Sequence, residues 1–273
     1  MEQSETSNQG APARRAVILS LIIVVVALVL RAWQLWVPEY STDEELSTGL
    51  AQLGYGDLFS NLAGRPPLSF LIQKLVVDVT GSVSAGVLRI PSVVEGVLGA
   101  IAVVAFGWRW CGRWTGVVAG TLLAVSFFHW ELSRDARYYP LLFLCSVVAV
   151  DGYLGLLVRR KGWSLPVFLV GAAGVMLTHY SGFLLIGALG LMASALLAGK
   201  GWREAFRSRP RVWGGVGVAL VISGAVAAWM LRGYLRVPLS HLSWPDPERT
   251  LTPLFDVSGG FLLSQFSVVT GLE

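Results

Sequence analysis

Long apolar runs dominate this chain and leave few folds open to it. Ala16–Val37 carries Arg31 and Gln34 only near its far end, and at 1.5 Å per residue it is long enough to cross a bilayer core as a helix. Further runs follow at roughly 87–108, 115–130, 138–158, 165–178, 182–199 and 212–231. With 54% hydrophobic and only 14% charged residues among 273, the chain is too apolar for a soluble domain of this size. The expected class is an all-α polytopic membrane protein. Helices pair their backbone groups within each segment, as hydrocarbon requires, and no alternation of the kind a β-barrel needs is present. Cys111 and Cys145 give no disulfide framework.

The basic residues set the orientation. Arg14/Arg15, Arg109/Arg113, Arg159/Arg160/Lys161 and the run Lys200, Arg203, Arg207, Arg209, Arg211 contain one acid among them, Glu204, and loops of that kind stay cytoplasmic. Each stretch between two such clusters must leave and return, so it holds an even number of spans. Between Arg15 and Arg109 there are three candidates, and the weakest is Leu68–Val79, about 18 Å long as a helix and carrying Lys74 and Asp78. It is expected to lie in the outer interface instead. About seven spans remain, with the amino terminus cytoplasmic, as in a multi-pass protein of a bacterial-type inner membrane. The expected organisation is a disordered tail over 1–15, a seven-span module over 16–232 with an outer loop at 38–86, and a second outer loop over 233–273. Tryptophans such as Trp33, Trp36, Trp108, Trp110 and Trp163 fall near the proposed interfaces, as an aromatic belt does.

This topology gathers a specific set of residues on the outer face. Just past the first span comes Ser41–Leu50, with Asp43, Glu44 and Glu45 in succession. The same face receives Arg65-Pro66-Pro67, Arg89, the segment Ser133–Tyr138, the turn Thr178-His179-Tyr180 and the tail from Arg232. Arg134 and Arg137 are three apart, so in a helical turn both can touch one anion, and guanidinium suits phosphate. They can equally be interfacial arginines that touch lipid phosphates or pair with Asp135 and Glu131. Carboxylate on one side and arginine on the other meets the needs of group transfer from a lipid phosphate. A base deprotonates the incoming hydroxyl and cations hold the leaving phosphate. His179 can donate to phosphate or sugar, or can simply finish a helix. Glu95 and Asp151 fall inside apolar runs, where a carboxylate is costly unless paired or neutral. Asp151, near the cytoplasmic end, reads as structural. The basic run at 200–211 reads as a topology signal against anionic lipid, not a nucleic-acid site.

In order along the chain stand Asp43-Glu44, Arg65-Pro66-Pro67-Leu68, Leu88-Arg89-Ile90-Pro91-Ser92, Ser133-Arg134-Asp135-Ala136-Arg137-Tyr138-Tyr139-Pro140-Leu141 and Thr178-His179-Tyr180. This series resembles the amino-terminal module of the GT-C membrane glycosyltransferases. It is most similar to the family 39 group of protein O-mannosyltransferases and the aminoarabinose transferase of lipid A. The resemblance implies a polyprenyl-phosphate-linked sugar as donor, a hydroxyl acceptor on a glycan, lipid or protein, reaction on the extracytoplasmic face, and inversion at the anomeric carbon. It implies Asp43 as catalytic base and Glu44 as a supporting acid that orients the acceptor or an arginine. Arg137, with Arg134 and Arg65, is assigned to the donor phosphate, and His179, Tyr180, Tyr138 and Arg89 to substrate binding. Arg65 stands where such enzymes often carry His. No cofactor is required by the resemblance, a divalent cation is compatible with it, and no Asp-x-Asp metal motif is present.

Enzymes of this kind usually continue for several spans past the second outer loop, whereas this sequence stops inside what reads as that loop. A missing carboxyl-terminal half or a separate partner subunit is therefore expected. Two other readings compete with an enzyme: a non-catalytic GT-C-like subunit or fragment that binds lipid-linked sugar, and a transporter of a lipid-linked substrate. The transporter would call for internal repeats and midplane charges, and the charges here concentrate at one face.

Overall fold

The computed structural model describes residues 3–33, 35–36, 42–62, 65–159 and 163–198, with isolated helical positions between 214 and 232. The chain divides into units 1–233 and 234–273, and the described residues all belong to the first. Every regular element among them is helical. In order they are α1 (Gln3–Ala32), α2 (Thr42–Ala51), α3 (Tyr55–Asn61), α4 (Leu68–Thr80), α5 (Ala85–Trp110), α6 (Arg113–Val125), α7 (Phe127–Leu132), α8 (Tyr139–Leu154), α9 (Ser164–Thr178) and α10 (Ser181–Ala198). A π-helical turn, Gly155–Arg159, prolongs α8.

Among the described residues, three helices are long and apolar enough to cross a membrane: Ala13–Ala32, Ala85–Trp110 and Tyr139–Arg159. Shorter apolar helices occupy Arg113–Val125, Ser164–Thr178 and Ser181–Ala195. The expected run at 212–231 lies mostly outside the described residues, as does the second outer loop at 233–273. Helix α1 starts at Gln3, although a disordered tail is expected up to residue 15. Once the apolar part has nucleated a helix, extending it backwards needs only propagation.

The expected single span at 115–130 is broken. Ser126 takes an extended conformation (φ −63°, ψ 114°) between α6 and α7. The break exposes the last carbonyls of α6, and a buried arginine from α1 covers them. Arg31 is 0% exposed, and its Nη1 donates to Ala124 O at 3.3 Å and its Nη2 to Leu123 O at 3.4 Å. A cation at a helix C-terminus also meets the negative end of the helix dipole.

Helix α4 covers the stretch expected to be interfacial and ends at Gly81, whose φ of 67° is the left-handed conformation of a glycine cap. Its buried positions are polar (Ser69, Gln73 and Lys74), while Leu75 and Val79 are exposed. This inverted pattern fits a helix whose outer side meets lipid and whose inner side meets a polar site. Tyr55 Oη and Lys74 Nζ both donate to Asp78, each at 2.9 Å, and tie α3 to α4.

Small residues let the long helices approach. A Cβ on Gly107 would strike the backbone of Gly116 on α6, one on Gly152 the backbone of Phe168 on α9, and one on Gly171 that of Ala149 on α8. Lipid offers no hydrophobic drive to helix pairing, so such close contact carries much of the association. Away from the candidate site, Arg109 and Trp110 Nε1 both donate to Asp151, closing α5 on α8. Filling one of these contacts should loosen the bundle. Gly171→Leu is expected to cost about 1–3 kcal/mol, seen as a lower unfolding midpoint in detergent, while Gly187→Leu, where a Cβ meets open space, should leave the midpoint unchanged.

Candidate active site

The link between α7 and α8 is an irregular segment held by side chains from three other helices. Glu44 on α2 and Arg89 on α5 form a buried ion pair, 1% and 8% exposed. Arg89 Nε donates to Oε1 at 2.8 Å and Nη2 to Oε2 at 2.7 Å, the bidentate geometry in which guanidinium binds carboxylate best. Oε1 also accepts the Ala136 N–H at 2.9 Å. The carbonyl of the same residue accepts Gln73 Nε2 of α4 at 2.8 Å, and the Arg137 carbonyl accepts Ser92 Oγ of α5 at 3.1 Å. Backbone groups that a loop would otherwise leave unpaired are thus satisfied, and the positions of Arg137 and Tyr138 are fixed.

Arg137 and Tyr138 line a cleft of about 240 Å³ between this link, α2 and the start of α4. Leu46 and Ser47 line it from α2, Ser69 and Phe70 from α4, and Arg65 from the turn before α4. The Arg137 guanidinium lies 5.5 Å from the Tyr138 ring centre and 5.6 Å from that of Tyr139, within cation–π range. His179 stacks on Tyr138, with ring centres 4.4 Å apart and planes inclined by 13°. His179 Nδ1 accepts the Ser181 N–H at 3.2 Å, so in the neutral ring the proton sits on Nε2. Burial and the nearby Arg137 charge lower the His179 pKa, which keeps the ring neutral at pH 7.

The remaining expected residues are placed as follows. Asp43 lies on α2 one turn before Leu46 and Ser47, and its side chain is outside the described residues. Glu44 was expected to orient either the acceptor or an arginine, and the contact present is with an arginine. Arg89 is turned inward to Glu44 and to Leu35 O at 3.3 Å, not into the cleft. Arg134 is not among the cleft residues. It lies over the Trp130 ring at 5.2 Å and 3.9 Å from Glu131, the arrangement of an interfacial arginine. Tyr180 is 40% exposed beside His179. Glu95 is buried on α5 with no hydrogen-bond partner among the described residues. No group of three His, Cys, Asp or Glu is placed to hold a metal among the described residues.

Sequence reasoning missed a second buried polar group. Arg31 Nη2 donates to His129 Nδ1 at 2.7 Å, and Trp130 Nε1 donates to Leu30 O, so α1 grips α7 from both sides. The one available signal was an arginine inside an apolar span, which always needs a partner. A mostly apolar cavity of about 460 Å³ opens beside His129, lined among others by Leu123, Phe128, Leu132 and Phe143.

The sequence model of the dolichyl-phosphate-mannose-protein mannosyltransferase family matches residues 64–229, more than half of the chain. The chain belongs to that family. With its apolar helices, it is an integral membrane glycosyltransferase of the GT-C kind. No curated protein and no solved structure matches it. The family match contains Arg65, the Ser133–Leu141 motif and Thr178–Tyr180, and starts after Asp43 and Glu44. The mannosyltransferase match therefore covers the α4 and α7–α8 walls of the cleft, while the α2 wall is tied to α5 and to the α7–α8 link by Glu44, through Arg89 and the Ala136 N–H.

Two outcomes follow for this mannosyltransferase-family site. Glu44→Leu strands Arg89 as a buried charge and should cost about 3–5 kcal/mol. Adding Arg89→Met should restore most of the lost unfolding midpoint, which a pair of independent residues would not do. Burial, with the Glu44 and Glu131 charges, pushes Asp135 up to about 6, above the ~4 of an unfolded chain. The folded state therefore binds more protons between those values, and the stability contribution is full below ~4 and lost as pH rises through about 6. Asp135→Asn should remove that fall and raise the midpoint at pH 7.5.

Proposed function

We propose that the chain transfers a sugar from a polyprenyl-phosphate donor to a hydroxyl acceptor at the extracytoplasmic face of its membrane, with inversion. The observation that carries this reading is the cleft that Arg65 and Arg137 line opposite α2, with Asp43 one turn from the α2 residues in its wall. Asp43 takes the proton from the acceptor hydroxyl as its oxygen attacks the anomeric carbon. The bond from that carbon to the phosphate oxygen breaks, and the electron pair leaves on the lipid phosphate. Arg137, aided by Arg65, stabilises the charge that gathers there. Neutral His179, with Nε2–H as donor, and Tyr138 flank the same position and can bind phosphate or sugar oxygens. Glu44 acts at one remove, through Arg89 and the Ala136 N–H, by keeping the α7–α8 link in place.

The test uses membranes that contain the chain and radiolabelled polyprenyl-phosphate sugars. Label should leave the lipid with the parent protein, and Asp43→Asn should slow this ~100-fold or more, as removal of a general base does. Equal transfer by both proteins would remove Asp43 from this role.

A further inference from the structure

The start of α4 is an uncapped helix N-terminus turned into the cleft. Pro66 and Pro67 precede it, Pro67 gives no side-chain cap, and the first turn holds no acid. The first bond of the ladder runs from Leu71 N–H to Pro67 O at 2.9 Å. The N–H groups of Ser69 and Phe70 come before it and have no backbone acceptor among the described residues. Ser69 is only 7% exposed, lines the cleft, and has no hydrogen-bond partner among the described residues. Several helical hydroxyls in this chain return their proton to the carbonyl four residues back, as Thr48, Thr80, Thr121, Ser146 and Thr178 do. Ser69 does not.

The geometry points to a phosphate site at the N-terminus of α4, in which the Ser69 hydroxyl and the N–H groups of Ser69 and Phe70 bind phosphate oxygens between Arg65 and Arg137. Helix N-termini suit anions because their free N–H groups and the positive end of the dipole point the same way. Here the two arginines add full charges, and the mostly buried serine supplies a neutral donor with no hydrogen bond among the described residues to give up. Phosphate in a lipid head group and free phosphate share this chemistry. The inference that the donor's phosphate is the one bound rests on the transfer reaction proposed above.

The full chain in nanodiscs would be titrated with inorganic phosphate and, separately, with farnesyl phosphate. Ser69→Ala should weaken binding about threefold, and Ser69→Asp, which puts a carboxylate on the site, about tenfold or more. Ser69→Asp should not lower the unfolding midpoint, because an acid in the first turn favours the helix. Weaker binding of both probes supports the site. A loss confined to inorganic phosphate overturns the lipid-linked ligand, and parent-like binding of both probes by Ser69→Asp overturns the site. Transfer at the parent rate by Ser69→Asp would also overturn it while leaving the proposed reaction standing. Ser69-dependent binding without any sugar transfer by the parent would do the reverse.

Discussion

Glu44 and Arg89 hold opposite charges out of water where α2 meets α5, and the site is assembled around them. Desolvating two ions costs more than an ordinary contact returns, and only good geometry with further hydrogen bonds offsets that cost. The bidentate pairing supplies the geometry, and the Ala136 N–H supplies a further bond. Because that third bond reaches the α7–α8 link, one carboxylate sets the relation of three segments far apart in sequence. Gln73 and Ser92 take the next two carbonyls of the same link. Arg137 and Tyr138 are therefore positioned through their backbone.

The end of the bundle that carries the cleft is polar in two places, each with its own logic. At the cleft, Arg65 and Arg137 line the opening with Ser69 of α4, while Gln73 of the same helix holds the Ala136 carbonyl behind it. At the break in the third apolar run, charge is sealed inside: Arg31 closes the carbonyl end of α6 and holds His129. The break lets α7 depart from the direction of α6 and lead into the link. Without a cation there, the Ala124 carbonyl would lose its Arg31 partner and the Leu123 carbonyl would keep only the Ser126 N–H, a loss that hydrocarbon does not make good.

Periodicity and charge made the helices legible, since each apolar run needs only local sequence to be read. That α4 is too short and too charged to be a span was legible for the same reason, whereas the burial of its polar residues Ser69, Gln73 and Lys74 was not. The motifs converge in space, because Arg65, Arg137 and Tyr138 line one cleft and His179 stacks on Tyr138. The partners of Arg89 and Arg31 were not legible, because their contacts lie 45 and 98 residues away and follow from packing. The break at Ser126 escaped for a related reason, as an apolar run hides a bend that a distant arginine supports. Ser69 was invisible as a single serine before an apolar stretch, and its place in the cleft wall without a hydrogen-bond partner among the described residues follows only from packing.

The central claim is that a lipid phosphate enters the cleft between α2, α4 and the α7–α8 link. The most direct measurement is photolabelling of the full chain in its membrane with a polyprenyl phosphate that carries a diazirine next to the phosphate, followed by peptide mapping. Label on residues 65–70 and 136–138 is the predicted result. Label confined to the apolar cavity beside His129 and Phe143, with none in the cleft, would contradict the account.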